Sequence, residues 1–68
     1  MKELTEKQEA IYIFVKDFIA LNNYSPSFRE IADKFSMTSK GISDHLKCIK
    51  KKGYIDYSPK LARTIVIK

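Results

Sequence analysis

A chain of 68 residues makes one domain, read here as 1–68, and a core of that size needs most of its large apolar side chains. At 44% hydrophobic and 31% charged, with two glycines and two prolines, it has the composition of a folded, mostly helical domain, not a disordered tail. The net charge of +5 points to a polyanion as partner; one cysteine excludes an internal disulfide, and one cysteine with one histidine excludes an ordinary zinc site.

Leu4-Thr5-Glu6-Lys7-Gln8 begins the chain with a capping box, in which Thr5 caps and Gln8 reaches back. The spacing predicts a helix from Glu6 to about Leu21, with Ile11, Phe14, Val15 and Phe18 as its core stripe. Tyr12 and Ile19 widen that stripe; all six are expected in the core, the alternative for Tyr12 and Ile19 being contact with another chain or domain. Asn22 to Pro26 is a turn, because Pro26 disfavours helix at Ser25 and the asparagines suit turn positions. A second capping box, Ser27 with Glu30, starts a short helix to about Phe35 whose Phe28, Ile31, Ala32 and Phe35 share a side.

Only Ser36-Met37-Thr38 separates this helix from the next, which forces a sharp angle and a helix-turn-helix arrangement. The third helix, about 39–52, is capped by Thr38 or Ser39 and stopped by Gly53 after a lysine-rich last turn. At about 100° per residue, Ile42, Leu46 and Ile49 form a narrow apolar stripe, with Lys40, Asp44, Lys47 and Lys51 opposite and Ser43 on the flank. A helix that buries one face and offers small polar and basic groups on the other suits a DNA major groove. His45 is expected to pack or hydrogen-bond, and Cys48 to be an inert, half-buried thiol.

Beyond Gly53 the period becomes extended. Tyr54 to Tyr57 and Thr64 to Ile67 are β-rich runs, with a turn at Ser58-Pro59-Lys60 between them. They predict a hairpin whose loop of about six residues carries Lys60 and Arg63, held against the helices because a lone hairpin is unstable. The fold expected is mostly α with a small β-hairpin, a winged helix-turn-helix in the order α-α-α-β-β. Charge is distributed accordingly: residues 1–37 hold five basic against six acidic side chains, and 38–68 hold eight against Asp44 and Asp56. A basic half on a small domain suits nucleic acid, a solvated lysine surface being the plainer alternative.

The chain resembles the N-terminal DNA-binding domain of LexA-type repressors, regulators of the bacterial DNA-damage (SOS) response. The resemblance runs from Leu4 to Ile67, through Leu4 to Gln8; Tyr24 to Ser27 with Arg29 to Ala32; Asp44 to Lys47 with Lys51 to Ile55; and Ala62 to Ile65. The proline segment followed by Arg29-Glu30-Ile31-Ala32 is the most particular of these. Two departures stand out: Ser36 where many members have Gly, and one residue fewer than in several members between Met37 and His45. One residue turns a helix face by about 100°, so an operator sequence does not carry over with the family. Members of the family continue into a C-terminal domain for dimerisation and Ser-Lys self-cleavage, which this sequence does not include. Its end, one residue after the last β-branched run, favours an excised domain, non-enzymatic and without a cofactor.

The resemblance implies double-stranded DNA as the partner, bound at a palindromic operator by a homodimer of the full-length protein, this piece being a monomer or weak dimer. Ser39, Lys40, Gly41, Ser43, Asp44 and Lys47 are the candidate base-reading surface, with lysine donating to guanine, Asp44 accepting from cytosine N4, and Gly41 allowing close approach. An ion pair of Asp44 with Lys40 or Lys47 is the competing role. Lys51, Lys52, Lys60 and Arg63 are candidate phosphate contacts, as are Ser27, Phe28 and Arg29 at a helix N-terminus. Tyr54 is expected in the core rather than on a phosphate. A lone thiol, no signal-peptide pattern and no membrane-length apolar run are most consistent with the cytosol and no membrane partner, and the resemblance implies a bacterial cytoplasm, at the nucleoid. Competing functions are a winged helix for protein–protein contact, with an apolar patch near Tyr12 and Ile19, and a nonspecific nucleic-acid binder.

Overall fold

Thr5 and Ser27 start the first two helices by the reciprocal bonds their spacing predicts. In the computed structural model, which describes residues 3–58 and 60–68, Thr5 Oγ1 accepts from the Gln8 amide while Gln8 Oε1 accepts from the Thr5 amide, both at 3.2 Å. Ser27 and Glu30 repeat the exchange at 3.1 and 2.9 Å. Helix α1 runs Glu6–Asn22, α2 Phe28–Phe35 and α3 Ser39–Lys51. Of the two possible caps for α3, Thr38 serves, its hydroxyl accepting from the Gly41 amide at 3.0 Å.

The helix ends follow from backbone stereochemistry. After α1, Asn23 takes the left-handed conformation (φ 63), and after α2 Ser36 does the same (φ 54, ψ 42). The turn at Ser36 sends the Met37 amide back to the Ala32 carbonyl at 2.9 Å, which closes the α2 end before α3 begins. Gly53, at φ 92, lets the Tyr54 amide return to the Ile49 carbonyl at 3.3 Å.

Ile42, Leu46 and Ile49 of α3 are completely buried, together with Ile11 and Val15 of α1 and Ile31 of α2. Phe14, Phe18, Tyr12 and Ile19 are half-buried at its margin rather than inside it. Phe14 and Phe18 belong to a run of ring contacts, Tyr24 to Phe18 to Phe14 to Phe35, that ties the turn and α2 to α1. Tyr12 lies edge-on to Tyr54 with centroids 5.3 Å apart, so the expected core role of Tyr54 and the inward role of Tyr12 coincide. The exposed large apolar side chains of α1 are instead Ile13 and Leu21.

The hairpin differs from expectation in extent. Strands β1 (Ile55–Asp56) and β2 (Val66–Ile67) pair antiparallel, Ile55 with Ile67 and Asp56 with Val66, two residues each instead of four. Side chains take the donors that would have lengthened the ladder: the Tyr57 amide goes to Asp56 Oδ1, the Ser58 amide to Thr64 Oγ1, and the Ile65 amide to Ser25 Oγ. Tyr57 and Ile65 are buried nonetheless, so the hairpin is anchored by its flanks. Pro59, part of the expected turn, lies outside the described residues. Three helices followed by this antiparallel hairpin make a winged helix-turn-helix. No helix of the described residues is long and apolar enough to cross a membrane.

Candidate nucleic-acid interface

The burial of Ile42, Leu46 and Ile49 fixes which side of α3 faces outward. Ser39, Lys40, Asp44, Lys47 and Lys51 are exposed there, with Gly41 and Ser43 half-buried beside them. Among the described residues Asp44 forms no ion pair with Lys40 or Lys47, so its carboxylate is available as an acceptor. A Cβ added at Gly41 would stand 3.3 Å from both Met37 Cε and Thr38 Oγ1. The α3 start is therefore already crowded on its inner side, and glycine there also keeps the outer surface low. Lys47, Lys50, Lys51 and Tyr57 line a shallow groove where α3 meets the hairpin.

Cys48, expected half-buried, is exposed. Its position lies about 120° from the centre of the buried stripe, outside the arc that α3 packs. His45, on the same side but nearer the stripe, is half-buried. No group of histidine, cysteine and carboxylate side chains among the described residues is arranged to hold a metal.

The basic side chains separate into two sets. Lys40, Lys47, Lys51 and Lys60 are exposed, and their ammonium groups have no protein partner among the described residues. Lys50, Lys52 and Arg63 are held by the fold. Lys52 Nζ donates to the Glu3 carbonyl at 2.9 Å and to Gln8 Oε1 at 2.8 Å, so its charge fastens the start of α1 to the end of α3. Lys50 Nζ donates to the Tyr57 carbonyl at 3.0 Å, pairs with Asp56 Oδ1 at 3.3 Å and lies over the Tyr57 ring. The backbone N–H of Tyr57 and the Lys50 ammonium together hold the Asp56 carboxyl below its ordinary value. No sequence period singles out Lys50 and Asp56, because they meet only once β1 folds back along α3.

Arg63 was expected at the wing tip beside Lys60. Its Nη1 instead sits 2.8 Å from Glu30 Oε1 and donates to the Ser25 carbonyl at 3.2 Å, with the guanidinium over the Tyr24 ring. At the start of α2, Ser27 is likewise occupied: its amide and hydroxyl are both used in the capping box. That leaves the Phe28 and Arg29 amides and the exposed Arg29 side chain to meet an anion. The Phe28 ring packs edge-on against Tyr57, which brings the hairpin to this same helix end.

Comparison with known proteins bears on this surface as a whole. The family model described as the LexA DNA binding domain matches residues 1–64. The chain is 48% identical over 65 residues to a LexA repressor of Thermosipho melanesiensis, covering 96% of this chain and 33% of that protein. It is 48% identical to the LexA repressor of Leptospira biflexa, again over 96% of this chain and 32% of the relative. With that of Thermotoga neapolitana it shares 50% identity over 56 residues, 82% of this chain and 28% of the relative. The chain thus spans about a third of the length of the curated relatives it matches.

Proposed function

The chain belongs to the LexA DNA-binding domain family, and from that premise we propose that it binds double-stranded DNA at a specific sequence and represses transcription by covering promoter DNA. The genes repressed are those of the DNA-damage response, as the repressor relatives and the family suggest. The observation that carries this reading is the division of α3: its apolar stripe is wholly buried, while Ser39, Lys40, Asp44 and Lys47 stand free on one exposed side. In the major groove Lys47 or Lys40 donates to guanine O6/N7 and Asp44 accepts from cytosine N4, while Ser39 and Ser43 meet either a base edge or a phosphate. Gly41 keeps the backbone close. Lys51 and Lys60 meet phosphates on either side of the groove, and the Phe28 and Arg29 amides at the α2 N-terminus meet another.

Two copies on a palindromic operator, brought together by a dimerisation domain in the full-length protein, would place two α3 helices in successive major grooves. This piece binds as a monomer or weak dimer, without cofactor or catalytic step, in the bacterial cytoplasm at the nucleoid. Lys47→Ala tests the base-reading role. It is expected to weaken binding to a duplex selected from a randomised pool by about tenfold, the scale of one lost bidentate contact, and random duplex much less. An equal loss on both duplexes would remove Lys47 from the reading surface.

A further inference from the structure

The guanidinium of Arg63 joins the wing loop to the start of α2. Its Nη1 bridges Glu30 Oε1 (2.8 Å) and the Ser25 carbonyl (3.2 Å), and its Cζ lies 5.1 Å from the centre of the Tyr24 ring. The same Glu30 oxygen accepts the Ser27 amide and so belongs to the α2 capping box. Two residues further on from Arg63, the Ile65 amide donates to Ser25 Oγ at 3.2 Å, and that hydroxyl donates to the Pro26 carbonyl at 2.8 Å. Arg63 keeps these contacts from the left-handed region, φ 57, which disfavours an ordinary side chain by about 1 kcal/mol or more. The Thr64 hydroxyl closes the loop behind it, 3.1 and 3.2 Å from the carbonyls of Ser58 and Leu61.

We propose that Arg63 is a positioning residue rather than a DNA contact: it latches the wing loop to the N-terminal cap of α2 through Glu30, Ser25 and Tyr24, and so sets where Lys60 stands relative to α3. The latch depends on the planar guanidinium, since Nη1 must donate in two fixed directions while Cζ stays beside the Tyr24 ring. An ammonium delivers the charge but not that geometry. Glu30 is the one member that joins the wing to a helix cap. Its carboxyl is held below its ordinary value by the Ser27 amide and by Arg63, in keeping with an occupied anion site.

The consequence for DNA rests on the DNA-binding reading; the latch itself does not. Three variants separate them: Arg63→Ala, Arg63→Lys and Glu30→Gln, the last keeping a capping residue at the third helical position. The latch predicts that Arg63→Lys and Glu30→Gln both speed hydrogen exchange of the Ile65 amide fivefold or more, with the Leu46 amide of α3 unchanged. A rise below fivefold in either variant, or an equal rise at Leu46, overturns it. On a duplex selected by the parent protein, all three variants are expected to bind more weakly with an unaltered salt slope. A slope reduced by about 0.9 in Arg63→Ala, with Arg63→Lys like the parent, would make Arg63 a phosphate contact and overturn the assignment. If the parent selects no duplex, the DNA-binding reading fails, and the exchange rates still decide the latch.

Discussion

Ser36 carries a Cβ at φ 54 and ψ 42, a conformation in which glycine bears no steric penalty. Ser36→Gly is expected to raise stability by about 0.5–1 kcal/mol, the relief of strain exceeding the added freedom of the unfolded chain. A urea midpoint that moves up at constant slope would register it. Lys52 is the converse case, a side chain that sequence alone assigns to phosphate and the fold assigns to Gln8 and the Glu3 carbonyl. Lys52→Ala is expected to cost up to about 1 kcal/mol of stability while leaving the salt slope of DNA binding unchanged. The sequence shows that a lysine is charged, but its partners here lie 44 and 49 residues away and are created by the fold. The capping partners of Thr5 and Ser27 were legible for the opposite reason, since they lie three residues off, within the reach of one helical turn.

At the scale of elements, the helices and the hairpin rest on partly different interactions. The helices share an apolar core to which the hairpin adds Ile55, Tyr57 and Ile65, and the hairpin is tied on besides by Lys50–Asp56 and Arg63–Glu30. Both carboxyls are held below their ordinary values of 3.8 and 4.5. A carboxyl shifted down contributes stability that is whole above its unfolded value and is lost as pH falls through the lower, folded value. Acid is therefore expected to loosen the hairpin before the helices. As pH falls below about 4.5, the backbone NMR signals of Ile55, Asp56, Ile65 and Val66 should shift or broaden while those of Leu46 and Ile49 persist. Coincident loss of all signals would contradict this. The strand runs were visible in sequence as β-branched stretches, but their length was not. Ladder donors at Tyr57, Ser58 and Ile65 are taken by side chains of Asp56, Thr64 and Ser25, and no alternation pattern records that competition.

The whole molecule is electrically lopsided, with its excess positive charge in the half that contains α3 and the wing. Arg63, Lys50 and Lys52 are engaged within the fold, whereas Arg29, Lys40, Lys47, Lys51 and Lys60 are exposed and have no ion-pair partner among the described residues. A count of lysines could not distinguish these two sets. The order α-α-α-β-β and the division of α3 into a buried stripe and an exposed face were legible because both depend on local periodicity. The claim that matters most is that this face reads sequence. Its direct test is a fluorescence anisotropy titration of a duplex enriched from a randomised pool against the same duplex scrambled, each at about 50 and 200 mM salt. The expected result is that both weaken as salt rises, while the enriched duplex stays at least about tenfold tighter at each concentration. Equal affinities for the two duplexes, or no dependence on salt, would contradict it.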